Sequence, residues 1–149
     1  GAVHIAQPLA EIATISGYEV IIIDPRSAFA NTQRFPDIKI INEWPEVALN
    51  ELAIDNRTAV VTLTHDPKLD DSALNAALKS KAFYIGSLGS KKTHKARVQR
   101  LKIANFSEDE IKRIHGPIGL AIGAKSPQEI AISIISEIIT IRNKLEFQE

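Results

Sequence analysis

Phe83-Tyr84-Ile85-Gly86-Ser87-Leu88-Gly89-Ser90-Lys91-Lys92 is the stretch on which the reading of this chain turns. Its apolar start reads as a strand, its two glycines as a tight passage, and Ser90 as the entry to a basic helix running from about Lys91 to about Ile103. Glycines let backbone N–H groups approach a ligand closely, and a helix N-terminus favours an oxyanion by roughly 0.3–1 kcal/mol. No carboxylate occurs between Asp71 and Glu108, whereas Lys79, Lys81, Lys91, Lys92, Lys95, Arg97, Arg100 and Lys102 all fall in that interval. The stretch therefore reads as an anion cradle built from Gly86, Ser87, Gly89, Ser90, Lys91 and Lys92. A solvated basic helix beside an ordinary strand-to-helix turn fits the same letters.

Upstream, Gly1-Ala2-Val3-His4-Ile5-Ala6 reads as the turn of a dinucleotide-type βαβ unit, G-x-G-x-x-G/A, opening a helix at about His4 with apolar positions Ile5, Ala6, Leu9, Ala10, Ile12 and Ala13. Val3 stands where the second glycine would admit a pyrophosphate. The strand expected before Gly1 is absent from the sequence, so the chain reads as part of a longer protein. In a doubly wound sheet that strand is central, and a gap is expected between the strands at residues 18–24 and 58–63. His4 either faces the crevice or caps the helix. Asp24 ends the strand about 20 residues past the glycine turn, the place of a ribose-binding acid, although Asp24-Pro25 also suits a plain turn. Arg26 and Arg34 are possible phosphate contacts in the following loop. Residues 38–41 read as a short strand and 44–52 as a weak helix.

At the carboxyl end of the strand at 58–63 lie His65 and Asp66, where open α/β sheets place ligands. They form either a ligand-facing pair or a turn with a solvated His. Asp71 reads as the N-cap of a helix carrying Leu74, Ala77 and Leu78. Residues 82–85 form the next strand. Ser107-Glu108-Asp109-Glu110 has capping-box spacing and starts a short helix ending near His115-Gly116-Pro117, after which residues 118–122 read as a last strand. Ser126-Pro127-Gln128-Glu129 is a strong helix start. The isoleucine-rich helix after it, roughly 27 Å long at 1.5 Å per residue, carries more apolar positions than one face can hold and suggests a second packing partner, such as another copy.

The fold class expected is α/β: a Rossmann-like, doubly wound, mostly parallel sheet lacking its first strand, in one domain over residues 1–149. Lys plus Arg and Asp plus Glu both total 18, so the positive charge is local and favours a compact anion over nucleic acid. The absence of cysteine excludes a thiolate nucleophile, a disulfide and cysteine-based metal sites. Four scattered histidines assign no metal site. No apolar run nears the roughly 20 residues needed to span a bilayer, and no signal peptide is visible, so a cytoplasmic location is expected.

Taken in order, Gly1-Ala2-Val3-His4-Ile5-Ala6, Thr64-His65-Asp66-Pro67-Lys68-Leu69-Asp70, Tyr84-Ile85-Gly86-Ser87-Leu88-Gly89-Ser90-Lys91-Lys92, His115-Gly116-Pro117-Ile118-Gly119-Leu120 to Gly123, and Ser126-Pro127-Gln128-Glu129-Ile130-Ala131 strongly resemble the C-terminal Rossmann-type domain of the XdhC/CoxI family. These are maturation factors for molybdenum hydroxylases such as xanthine dehydrogenase and carbon monoxide dehydrogenase. Val3 and Ala121 depart from the family pattern. The resemblance implies a chaperone that binds the molybdenum cofactor, as molybdopterin or its dinucleotide form, while a cysteine desulfurase installs its sulfur ligand. The chaperone then passes the cofactor to the apo-hydroxylase. It also implies an additional N-terminal domain, absent from this sequence.

The leading expectation is thus a binding and transfer protein rather than an enzyme, with no catalytic residue assigned. Ser87, Gly89, Ser90 and Lys91 would hold phosphate, and His4, His65 and Asp66 would face the rest of the ligand. An NAD(P)-dependent oxidoreductase domain, suggested by Gly1 and Asp24, is the second reading. A non-catalytic dimerisation domain, suggested by the last helix, is the third.

Overall fold

The computed structural model describes residue 1 and residues 3–147. Ala2 of the expected glycine turn and the last two residues of the expected 1–149 domain lie outside the described residues. Helices separate β2, β3, β4 and β5 along the chain, while β1 leads to β2 through a long loop, and every strand pairing among the described residues is parallel. The α/β class follows directly, because parallel neighbours need a crossover between them. β1 (Ile21–Ile23) pairs with β2 (Lys39–Ile41), with Ile22 opposite Ile40. β3 (Ala59–Thr62), β4 (Tyr84–Ser87) and β5 (Ile114–His115) form a second sheet in that order.

Successive strand residues point to opposite faces, and the two apolar clusters divide accordingly. Tyr84 and Ile22 join Ala6, Ala10, Ile134 and Ile138 on one side, where α1 (Ala6–Ile15) packs against α6 (Pro127–Phe147). Ile85 and Val60 join Leu74, Leu101, Ile111 and Ile114 on the other. That side is covered by α2 (Pro45–Leu52), α3 (Pro67–Leu78), α4 (Lys91–Ile103) and α5 (Glu108–Ile111). Helices cover both faces, as expected of a doubly wound sheet.

The expected gap is present. Among the described residues no ladder joins β1 to β3, and a groove of about 1410 Å³ is lined by residues 21–23 on one flank and 59–63 on the other. Gly1 sits at its head: its nitrogen donates to the Ile23 carbonyl at 3.1 Å, and a Cβ placed on it would lie 2.5 Å from Thr64 Cγ2.

Several boundaries differ from the sequence reading. The N-cap of α3 is Asp66, whose side chain accepts from the Lys68 N–H, and Asp71 lies inside the helix and pairs with Arg100 at 2.6 Å. Pro67 at the first helical position explains the earlier start, since its missing N–H is no loss there. Residues 118–122 form no strand; β5 comes before them, at Ile114–His115. Pro117 lacks a ladder donor, Gly119 and Gly123 take positive φ (94° and 74°), and Leu120 and Ile122 are exposed, so the apolar run closes as a loop. The short helix α5 likewise ends at Ile111. α1 begins at Ala6 and not at His4, with no side-chain cap. α6 has 21 residues, about 31 Å, and opens on the expected box, Glu129 Oε1 accepting from Ser126 N–H and Ser126 Oγ accepting from Glu129 N–H.

Candidate functional site

The carboxyl ends of β3 and β4 lie side by side, and the turn after β4 is where unused donors collect. Ser90 ends the turn in an extended conformation and its Oγ accepts from Thr93 N–H, fixing the first turn of α4. Among the described residues the N–H groups of Gly89, Ser90, Lys91 and Lys92 donate to no protein atom. Gly89 has φ 145°, and a Cβ there would meet Thr93 at 2.8 Å, so the backbone follows a path open to glycine. Lys91 and Lys92 are exposed, with no carboxylate within ion-pair distance among the described residues. Donors and positive charge therefore converge on one spot.

Gly86 and Ser87 serve this turn from below. Ser87 is fully buried, and its hydroxyl is shared with Thr62 Oγ1 at 2.5 Å. The Leu88 N–H is taken by the Thr62 carbonyl, so this part of the expected cradle is scaffold. Gly86 is in the ladder, where a Cβ would lie 2.6 Å from Ile118 Cδ1 and 2.7 Å from Tyr84 Oη. Ile118 belongs to the loop after β5, which is tied down by its N–H to the Ser87 carbonyl. Glu137 of α6 holds the same loop. Its Oε1 accepts from Tyr84 Oη at 2.6 Å and from Gly119 N–H at 3.1 Å, with His115 Nδ1 3.7 Å away. The His115 ring stacks on Tyr84 at 4.7 Å. Burial, reinforced by Glu137, pushes the Tyr84 hydroxyl far above its ordinary range, so it remains a donor.

Beneath the turn lies Arg97, only 2% exposed. Its Nη2 donates to the Leu88 carbonyl at 2.9 Å and its Nη1 to His94 Nδ1 at 3.3 Å. Burial and the neighbouring guanidinium hold His94 below its ordinary value, which suits a neutral acceptor. The Nε–H of Arg97 is buried without an acceptor.

His65 and Asp66 are exposed at the carboxyl end of β3. His65 shares a pocket of about 340 Å³ with Lys92 and Arg97, whereas Asp66 is occupied as the cap of α3. Gly1 stands beside Thr64 at the same edge. His4 is exposed in the turn two residues before α1. Val3 is half-buried and packs into the α1–α6 core, so its side chain serves the fold. Asp24 is buried, and Arg26 spans it: N–H and Nε donate to Oδ1 at 2.9 Å, and Nη2 donates to Oδ2 at 2.8 Å. Arg26 itself lies 4.5 Å over the Phe29 ring.

Sequence reading missed Asp70, Arg97 and Glu137. Arg97 sits four residues before the buried Leu101, a spacing that places a cation on the covered stripe of a helix. That was the available signal. Glu137 likewise follows Ser133, buried one turn before it.

Comparison with known proteins agrees with this fold. Residues 1–138 match the family described as the XdhC Rossmann domain. The chain is 34% identical over 139 residues to a probable xanthine dehydrogenase subunit of Bacillus subtilis (strain 168), covering 93% of this chain and 40% of that protein. It is 32% identical over 137 residues to the molybdenum cofactor insertion chaperone PaoD of Escherichia coli (strain K12), covering 92% and 37%. A crystal structure described as a xanthine dehydrogenase from Bacillus halodurans superposes with a TM-score of 0.82 at 32% identity, over 97% of this chain and 41% of that one. The chain thus spans about two-fifths of the length of these relatives.

Proposed function

We propose a function from one premise: the chain belongs to the XdhC family through its Rossmann domain. In this reading the domain is the ligand-holding part of a chaperone that binds the molybdenum cofactor and passes it to a xanthine-dehydrogenase-type hydroxylase. The observation that carries it is the row of N–H groups from Gly89 to Lys92 and the two lysines beside them, none with a partner among the described residues. Main-chain donors at a helix N-terminus suit a phosphate, the group through which the pterin, or its nucleotide extension, would be gripped. The fit is also chemical: four adjacent main-chain donors without a protein acceptor among the described residues match the oxygens of a phosphate. PaoD, a molybdenum cofactor insertion chaperone at 32% identity, adds support.

When bound, the cofactor supplies the molybdenum chemistry of its eventual host. This chain's residues grip it: amides 89–92 and Lys91 and Lys92 bind phosphate, Ser90 fixes the helix start, and the Glu137-anchored loop forms the wall. Sulfuration with a cysteine desulfurase, a homodimer built on α6 and a cytoplasmic setting belong to the same proposal. The test is calorimetric titration of the full-length protein with molybdopterin and with its cytosine dinucleotide. Saturable binding is expected, weakened about tenfold by the double substitution Lys91→Ala and Lys92→Ala, from two charge-assisted contacts of modest strength. Absence of binding, or an unchanged affinity in the double variant, refutes the proposal. The NAD(P) alternative has less support, because Asp24 is engaged by Arg26; saturable nicotinamide-nucleotide binding weakened by Asp24→Ala would revive it.

A further inference from the structure

Beside the phosphate turn lies the pocket of about 340 Å³, walled by the start of α3 on one side and by α4 on the other. Its size falls in the range of small-molecule sites, about 300–1,000 Å³. Two charged residues line it from opposite walls: Asp70, 4% exposed, and Arg97, 2% exposed. Buried charges are normally paired with one another, yet no ion pair joins these two among the described residues. Asp70 commits only Oδ1, which accepts from Thr64 Oγ1 at 2.7 Å and from Thr64 N–H at 3.3 Å. Oδ2 has no hydrogen-bond partner among the described residues. Arg97 has one guanidinium donor, Nε–H, fully buried and unmatched.

An acceptor and a donor held apart across one cavity exclude two simple guests. A second anion would meet the Asp70 carboxylate, and a cation would meet Arg97 and Lys92. What remains is a planar group that offers N–H on one edge and a carbonyl on another. We propose that this pocket seats an amino-oxo-pyrimidine ring, with Asp70 accepting from its N–H edge and Arg97 donating to its carbonyl. The proposal rests on the cofactor-binding reading above, with the phosphate of the same ligand at residues 89–92. Both the pterin and the cytosine of a dinucleotide form carry this chemistry.

The two sources and the two subsites can be separated in the full-length protein with three probes. Pterin-6-carboxylate reports the pterin, cytidine monophosphate the base, and inorganic phosphate the turn alone. At least one ring probe is expected to bind. Asp70→Asn keeps the acceptor toward Thr64 but presents an N–H in place of Oδ2, and should weaken that ring probe about tenfold or more, the effect of opposing two donors. Arg97→Lys, which removes the Nε–H, should do the same, with phosphate affinity held in both variants. The probe that responds identifies the ring. Failure of both ring probes to bind, or ring affinities equal to wild type in both variants, overturns the proposal. A parallel fall of ring and phosphate binding in both variants assigns the residues to the fold and overturns it too. Wild-type protein that binds a ring probe but not phosphate would refute the turn as a phosphate site and leave the ring pocket standing, whereas variants that lose phosphate and keep the ring probe overturn the ring assignment.

Discussion

Replacing Glu137 by Ala removes one oxygen from two donors. Tyr84 Oη, on a residue 1% exposed, and the Gly119 N–H both donate to Oε1, at 2.6 and 3.1 Å. A buried donor left without an acceptor costs about 1–3 kcal/mol. Glu137 has only 14% of its side chain exposed, so water can replace it poorly. Two orphaned donors place the Ala variant at about 3 kcal/mol of lost stability. For a chain of this size that is a melting-temperature fall of about 6–12 °C. Glu137→Gln keeps an amide oxygen able to accept from both groups, and should cost about 1 kcal/mol, the difference between a charged and a neutral acceptor. Urea unfolding of the full-length protein measures this through the midpoint. Tyr84→Phe completes a cycle: its cost should shrink when Glu137 is already Ala. An Ala variant within about 0.5 kcal/mol of wild type, a Gln variant as damaged as Ala, or strict additivity with Tyr84→Phe would each refute the assignment of Glu137 as the anchor of the loop beside the phosphate turn.

Two further outcomes follow from the same geometry. Gly86→Ala brings a methyl group to 2.6 Å from Ile118 and 2.7 Å from the fixed Tyr84 hydroxyl, so a loss of about 1–3 kcal/mol by thermal melting is expected, and an unchanged melt would mean the loop is not held against β4. Burial raises the Asp70 carboxyl above its ordinary value of 3.8, against the pull of Thr64 and Arg97. A raised folded-state value gives stability that is full below the ordinary value and lost as pH climbs through the folded one. Asp70→Asn should therefore melt higher than wild type at neutral pH, with the two curves converging below the ordinary carboxyl range. Equal melting temperatures at pH 7 would remove the idea of an uncompensated buried charge.

Much of this was legible in the letters because it rests on local chemistry. Ser90 and two lysines announce a capped, positive helix start, and a glycine turn without a strand before it announces a gap; both are present. Boundaries failed where two signals compete. Asp66-Pro67 reads as a turn as readily as a cap with proline at the first helical position, and β5 is too short, at two residues, to leave an alternating pattern. The inward roles of Ser87, Arg97 and Glu137 depend on partners 25, 9 and 53 residues away, Thr62, the Leu88 carbonyl and Tyr84. No short-range period encodes such distances. Charge counting read Arg97 as one more solvated cation, although its partner spacing to Leu101 marks a covered stripe.

The groove between β1 and β3 also governs how this architecture comes apart. Without rungs across it, the β1–β2 pair and the β3–β4–β5 trio are joined in the described residues by helix packing on both faces, α1 against α6 on one and α2 against α3 on the other. The pair holds one ladder and the trio two, so amide exchange should protect the central strand β4 longer than β2. Any extended peptide able to zip both bare edges at once would fuse the halves into one cooperative unit.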